Sequence, residues 1–266
     1  MKKINFLAVS DSEKYDMFVL PFILSSLFHV ENSSCEIYVK SKKDFIKNNK
    51  KGLDILNRYF PKSFIIHSIP DIYFSGKIKY PLIGQIVRFL ELPIIQSKYT
   101  YIGDIDIMNS DSNIVQIHEE LMEKQELPYS NIVRPNSERL TGCMFVENEK
   151  YYPKLKKVFK QFKENPDSIY KPILNDEILL HHLVKKVHKL PKFNTGDFRP
   201  IHGIHMSLNR KNPLGNKEFG IPSWGINQIK LDKYNLMRES IVYKEIYPYL
   251  YDDFKTLIMP INDIKL

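Results

Sequence analysis

The sequence predicts an α/β fold, a mainly parallel sheet flanked by helices, on three observations. Short runs rich in β-branched and aromatic residues alternate with longer amphipathic ones, the pattern of strands joined by crossover helices. The first such run, Ile4–Val9, is mostly apolar, as a strand covered on both faces must be. A later run closes on paired carboxylates, Asp104 and Asp106, at the strand end where α/β sheets keep their ligands.

The elements follow in order. Ile4–Val9 reads as the first strand and Met17–Phe28 as the helix after it. Cys35–Val39 is a second strand, and Asp44–Tyr59 a surface helix whose start carries the densest lysine cluster, Lys40 to Lys51. Ser63–Ser68 is a third strand. Arg88–Lys98 reads as a short amphipathic helix, helical over Gln85–Leu92, feeding the strand Tyr99–Ile102. Val115–Lys124 is a helix and Leu140–Glu147 a strand. Tyr152–Asn165 and Asp176–Val187 are helices. Prolines and glycines thicken after Pro191, from Gly196 to Gly225, which suggests loops folding over a site rather than a second domain. No internal repeat or Ser/Gly linker interrupts the pattern.

Composition narrows the class. At 266 residues, 43% hydrophobic and 12% aromatic, the chain can bury one large core. No apolar run approaches the roughly 20 residues of a membrane helix, and the start, Met1–Val9, is broken by Ser10-Asp11-Ser12-Glu13 too soon for a secretory signal. The two cysteines, Cys35 and Cys143, have no metal spacing and form no disulfide framework, so a reducing cytoplasm fits. The net charge of +8 is compatible with an anionic substrate or membrane surface and equally with lysine-rich composition alone. Nucleic acid is not expected as a partner, because the lysines are scattered and no aromatic-basic or zinc-finger motif occurs.

Asp104 and Asp106 carry the chemistry. Residues i and i+2 of a strand project to one side, and two carboxylates placed so repel unless a cation lies between them. Hard oxygen donors suit Mg²⁺ or Mn²⁺, ions that bridge to nucleotide phosphates. There is no Gly-x-Gly-x-x-Gly after the first strand and no Walker lysine, so metal and basic side chains would have to hold a diphosphate. The alternative for the tripeptide alone is a solvated acidic turn.

In their order, several segments resemble the nucleotide-diphospho-sugar transferase (GT-A) fold and, within it, the family 8 glycosyltransferases. Ala8-Val9-Ser10-Asp11 with Tyr15 is similar to the family's nucleotide-binding start. Arg88, in Val-Arg-Phe-Leu-Glu-Leu-Pro, sits where the family has an arginine touching the nucleotide. The Asp104/Asp106 pair follows, with Ile105 between. Leu140-Thr-Gly142-Cys-Met-Phe-Val resembles the family's N-x-G strand, and Asn175-Asp176-Glu177 its D-Q helix start. His202-Gly-Ile-His205 followed by Lys211-Asn-Pro is similar to its H-x-x-G-x-x-K-P-W segment. The likeness spans residues 4–213. It departs from the family at Gly103 (usually leucine), Ile105 (usually small), Leu140 (asparagine) and Glu177 (glutamine). The final tryptophan is also missing, Trp224 lying farther on. With leucine at position 140, one contact that the family's asparagine makes to the donor sugar would be missing or supplied by Asn136, Ser137 or Glu138.

The resemblance implies a catalytic domain over residues 1–224 and a helical extension over 225–266. It implies Mn²⁺ or Mg²⁺ held by Asp104, Asp106 and a histidine, His205 by its spacing to Lys211, with His202 the competitor. Arg88, Asp11, Tyr15, Ala8, Ile105 and Gly142 would line the nucleotide. Asp176 and Glu177 would meet the sugar, although Asp176 could instead be a helix cap. Lys211, with Arg210 beside it, would neutralise the diphosphate. The implied reaction is hexose transfer from a UDP-sugar to a glycan or lipid-linked acceptor, with retention. The alternatives are a nucleotide-sugar-binding protein without turnover, or a sugar nucleotidyltransferase. In the extension, Lys230, Lys233, Arg238 and Lys244 mix with Tyr234, Tyr243, Tyr247, Tyr249 and Tyr251. That composition suits either a peripheral foot on the anionic inner face of a membrane or the closing wall of the core.

Overall fold

The computed structural model describes residues 1–74, 83–134, 137–165, 175–192, 202–206 and 228–262. Its centre is a six-stranded sheet in the order β3-β2-β1-β4-β7-β6, beside a small two-stranded sheet of β5 and β8. β1 (Lys2–Ser10), β2 (Ser33–Val39), β3 (Phe64–Ser68) and β4 (Ser97–Ile102) run parallel. β7 (Met144–Glu147) lies antiparallel to β4 and to β6 (Tyr129–Ser130). β5 (Ile107–Asn109) and β8 (Gly203–His205) pair antiparallel, with Ile107 opposite His205.

Crossover helices explain the burial pattern. All seven residues of β2 are buried, which fits a strand covered on both faces. A short α1 (Glu13–Asp16) leads into α2 (Val19–His29), which is buried nearly all round. α3 (Lys42–Tyr59) is amphipathic and rich in lysine on its open face. α4 (Ile83–Leu90), α5 (Ile114–Gln125), α6 (Asn148–Glu164) and α7 (Asp176–Lys185) complete the layers. Two apolar clusters result, one on each side of the sheet, built around Phe6, Phe22 and Tyr101 and around Tyr73, Tyr129 and Phe162.

Two expectations change here. The helix before β4 stops at Leu90 instead of running toward Lys98, because Pro93 cannot continue it. The connection that replaces it is gripped by Glu36, a fully buried carboxylate on β2. Glu36 accepts from the Ile94 amide at 2.9 and 3.0 Å, the Ile95 amide at 2.6 Å and Asn5 Nδ2 at 2.9 Å. The strand expected from Leu140 begins only at Met144. Before it, Asn131 shapes the chain by accepting from the Thr141 amide and hydroxyl and donating to the Thr141 carbonyl.

The C-terminal segment forms α8 (Gln228–Glu239), α9 (Ile241–Ile246) and α10 (Asp252–Asn262). Leu231, Tyr234, Met237, Tyr243, Ile246 and Phe254 join the same core as α2 and α3. Asn49 Nδ2 donates to Tyr251 Oη at 3.0 Å, and Tyr59 Oη donates to Glu245 at 2.9 Å. The tyrosines therefore divide: Tyr234 and Tyr243 are core, while Tyr247 and Tyr249 are exposed, as are Ile229, Leu236, Ile241 and Met259. The expected boundary at 224/225 lies outside the described residues. Among the described residues no helix is long and apolar enough to cross a membrane.

Candidate functional site

Asp104 and Asp106 do not sit on the strand itself. β4 ends at Ile102, and a turn closed by the Ile107 amide on the Asp104 carbonyl (3.2 Å) carries both. They share a side for a different reason than strand alternation. Ile105 between them is 5% exposed and packs into the core, which leaves its neighbours facing the other way.

β8 brings the third group. His205 Nε2 lies 3.3 Å from Asp106 Oδ1, and the Met206 amide donates to the Asp106 carbonyl at 2.7 Å. One donor atom each from Asp104, Asp106 and His205 fit within 4.8 Å of one another, as a metal site requires. His202 is occupied elsewhere. Its Nδ1 is 2.9 Å from Asp111 Oδ2 and its Nε2 is 2.8 Å from His118 Nε2, while His118 Nδ1 is 2.9 Å from Ser130 Oγ. This buried chain fixes the start of β8, helped by the Ser110 amide on the His202 carbonyl at 2.8 Å.

Arg88, on the last turn of α4, is 6% exposed and holds the other side of the cluster. Nη1 donates to the Gly103 carbonyl at 2.8 Å and to Asp104, and Nη2 donates to Asp176 Oδ2 at 3.1 Å. The guanidinium orients two carboxylates through Nη1 and Nη2, while its buried Nε has no hydrogen-bond partner among the described residues. Burial acts to raise the Asp104 carboxyl, but Arg88 and His205 outweigh it and hold it well below the usual carboxylate range. Burial likewise acts to lower Arg88, and Asp104 and Asp176 reverse this and raise it.

Asp176 is not the helix cap. Asn175 caps α7 by accepting from the Glu177 amide at 2.7 Å, which frees Asp176 to face Arg88. Glu177 takes Arg134 Nη2 at 2.6 Å and the Gly142 amide at 3.1 Å, both on Oε1. Gly142 itself lies against the cluster: an added Cβ there would meet Arg88 Nη2 at 3.0 Å, Asp176 Oδ2 at 3.8 Å and Asp104 Oδ1 at 3.9 Å.

The remaining expected residues scatter. Asp11, exposed after β1, touches α4 at Gly84, where an added Cβ would collide with the Asp11 side chain. Tyr15 is partly buried and tilts against Phe18, with ring centroids 5.9 Å apart. Ala8 is wholly buried in the core, which gives its side chain a packing role. Lys211, Arg210 and Asn136 lie outside the described residues. Sequence reasoning missed Arg134, Gly84 and the Cys143 thiol, which donates to Asp104 Oδ2 at 3.5 Å. Only Cys143, two residues before the apolar run Phe145-Val146 and next to Gly142, carried a local signal.

The charges fit a divalent cation. Among the described residues, Asp104, Asp106, Asp176 and Glu177 face two guanidinium groups, Arg88 and Arg134, which leaves two negative charges. Two carboxylates and one imidazole form a donor set that Mn²⁺ accepts readily, whereas Mg²⁺ prefers oxygen throughout.

No protein-family model matches the chain, and no curated protein matches it. Among solved structures, the galactosyltransferase LgtC in complex with donor and acceptor sugar analogues is similar over 69% of this chain and 70% of its own, at 14% identity and a TM-score of 0.45. The glycosyltransferase GlyE of Streptococcus pneumoniae is similar over 72% of this chain, which spans 45% of GlyE, at 10% identity and a TM-score of 0.45. The 4-diphosphocytidyl-2C-methyl-D-erythritol synthase of Anaerococcus prevotii is similar over 74% of this chain and 92% of its own, at 7% identity and a TM-score of 0.44.

Proposed function

We propose that the chain is a GT-A-fold glycosyltransferase that moves a hexose from a UDP-sugar to a glycan or lipid-linked acceptor, with retention at the anomeric carbon. The observation that carries this reading is the triangle of Asp104, Asp106 and His205, backed by Arg88. A bound Mn²⁺ or Mg²⁺ would act there as a Lewis acid on the diphosphate. This chain's own residues do the rest. Arg88 keeps Asp104 ionised and oriented, and holds Asp176 beside it. Asp176 and Glu177 open α7 next to the aspartate pair, where they serve as contacts for the sugar. Asp11, just after β1, serves the nucleoside, and Lys211 adds positive charge for the leaving group.

The exposed residues Ile229, Leu236, Ile241, Tyr247, Tyr249 and Met259 are the part of the extension left for a peripheral contact with an anionic membrane. A cytoplasmic location, on the inner face of that membrane, goes with this reading.

The test is Asp106→Asn. This change removes a ligand charge without stranding Arg88, whose partners are Gly103, Asp104 and Asp176. Wild type should bind UDP more tightly with Mn²⁺ than without, and slowly hydrolyse a UDP-hexose. The variant should stay folded and lose the Mn²⁺-dependent increment. An unchanged metal dependence would refute the site, and binding without any turnover would favour a nucleotide-sugar-binding protein.

A further inference from the structure

Asn131 follows β6 and stands beside the start of β7, where Ser130 pairs with Phe145. It is buried, and both ends of its amide are engaged. Oδ1 accepts from the Ile132 amide at 2.7 Å, the Thr141 amide at 3.0 Å and the Thr141 hydroxyl at 2.6 Å. Nδ2 donates to the Thr141 carbonyl at 3.0 Å and the Cys143 carbonyl at 3.5 Å. A buried amide with this many partners is costly to displace, because each group left behind would be desolvated and unpaired. One side chain thus fixes the backbone of residues 141–143, on the far side of the Val133–Leu140 bridge. The strand before it is anchored in turn. Ser130 Oγ lies 2.9 Å from His118 Nδ1, and His118 Nε2 lies 2.8 Å from Nε2 of His202, just before β8.

Residues 141–143 reach the aspartate pair. The Cys143 thiol donates to Asp104 Oδ2 at 3.5 Å, while Arg88 Nη1 takes Oδ1 of the same carboxylate. Asp104 is therefore held from two sides, and the two contacts together set the plane of its carboxylate. The guanidinium contact is charge-assisted and strong, whereas a thiol is a weak donor. A weak donor orients its acceptor only if its own backbone cannot drift, and Asn131 holds the backbone of Cys143 at its carbonyl. Gly142, between the two clamped residues, is equally close. A Cβ there would meet Arg88 Nη2 at 3.0 Å and Asp104 Oδ1 at 3.9 Å, which leaves this turn little room to move toward the pair.

We infer that Asn131 is a positioning residue for Asp104. It fixes residues 141–143, and through the Cys143 thiol it sets the carboxylate in the orientation that a divalent cation needs. That role rests on the metal-site reading of Asp104, Asp106 and His205 above. Asn131 is no ligand itself and acts through Cys143. Groups that orient a metal ligand are typically worth about tenfold to hundredfold in metal affinity, and the weakness of the thiol puts this arm at or below the lower end.

The experiment titrates Mn²⁺ into full-length wild type, Asn131→Ala, Cys143→Ala and the double variant. Electron paramagnetic resonance reads both the free ion and the spectrum of the bound one, which reports ligand geometry. Asn131→Ala should weaken Mn²⁺ binding about fivefold, and Cys143→Ala about as much. The double variant should be no more than about twofold weaker than Asn131→Ala, because both changes break one arm. The bound-ion spectra of the two single variants should match each other and differ from that of wild type, a change that lost stability alone would not produce. If Asn131→Ala does not fold, Thr141→Val takes its place in the same cycle, since it removes the hydroxyl bonded to Asn131 Oδ1. Losses that multiply in the double variant would overturn the assignment. So would an Asn131→Ala protein with the affinity and bound-ion spectrum of wild type. Wild type that binds no Mn²⁺ would instead remove the metal-site reading on which it stands.

Discussion

Replacing Arg88 by methionine tests how the cluster is held together. Methionine keeps an unbranched apolar stem and deletes the charge. The guanidinium side chain is 7% exposed, and it leaves behind Asp176 at 11% and Asp104 at 33%. Removing one partner of a buried ion pair costs about 3–5 kcal/mol. Water reaches a third of Asp104 and screens it, so the lower end applies, about 3 kcal/mol. A domain with roughly 5–15 kcal/mol of stability survives that loss. Its pH dependence separates charge from packing. Asp104 titrates well below its unfolded value, so its contribution is complete at pH 7, persists at pH 5 and is lost only as the pH falls through its depressed folded value. Without Arg88, burial is unopposed by that cation and raises the carboxyl, so protonation relieves the variant in mildly acidic solution. The gap between wild type and Arg88→Met in urea unfolding should therefore narrow from pH 7 to pH 4. A loss below about 1 kcal/mol at pH 7, or a gap that stays constant across this range, would show that Arg88 is packing and not a counter-charge.

The remaining expectations are shorter. His205→Ala should weaken Mn²⁺ binding by about tenfold or more, roughly 1.4 kcal/mol, in a calorimetric titration. His202→Ala should chiefly lower the unfolding midpoint, since it breaks the contacts to Asp111 and His118. Gly84→Ala should destabilise by about 1–3 kcal/mol, against the gain of about 1 kcal/mol that helix propensity alone would give, because the new Cβ would collide with the Asp11 side chain. Burial, with Lys233 nearby, holds the His29 imidazole down to about 4. Its neutral form is what folding favours, so stability should fall as pH drops from about 6.5 toward 4, by roughly 3 kcal/mol at most. His29→Gln should flatten that part of the curve, measured as the urea midpoint against pH.

Much of the sheet was legible in the sequence because β1, β2, β3 and β4 are long enough to show their own composition. Leu7, Cys35 and Tyr101 are buried as apolar runs predict. β5, β6 and β8 were not, since strands of two or three residues have no periodicity to read. Asp104 and Asp106 were visible as a pair, but the turn that carries them was not, because Ile102 and Ile105 look alike in sequence and only one belongs to the strand. Arg134 and Glu177 stand 43 positions apart, and nothing local to either foretells that they meet. The two histidines differ by partners that also come from distant elements, His118 on α5 and Asp106 on the turn.

The grip of Glu36 on the Ile94 and Ile95 amides has a consequence for chain length. Surface connections generally accept insertions at little cost. This one is pegged at its midpoint to a carboxylate rooted in β2, so the contour from the end of α4 to the start of β4 is metered in two separate spans. An extra residue on either side of the peg cannot be taken up by slack in the other. It would shift the phase of α4 or of β4, and with it the offset between Arg88 and Asp104. The tolerance map of this protein should therefore show an ordinary-looking loop, residues 91–96, that resists lengthening like a strand.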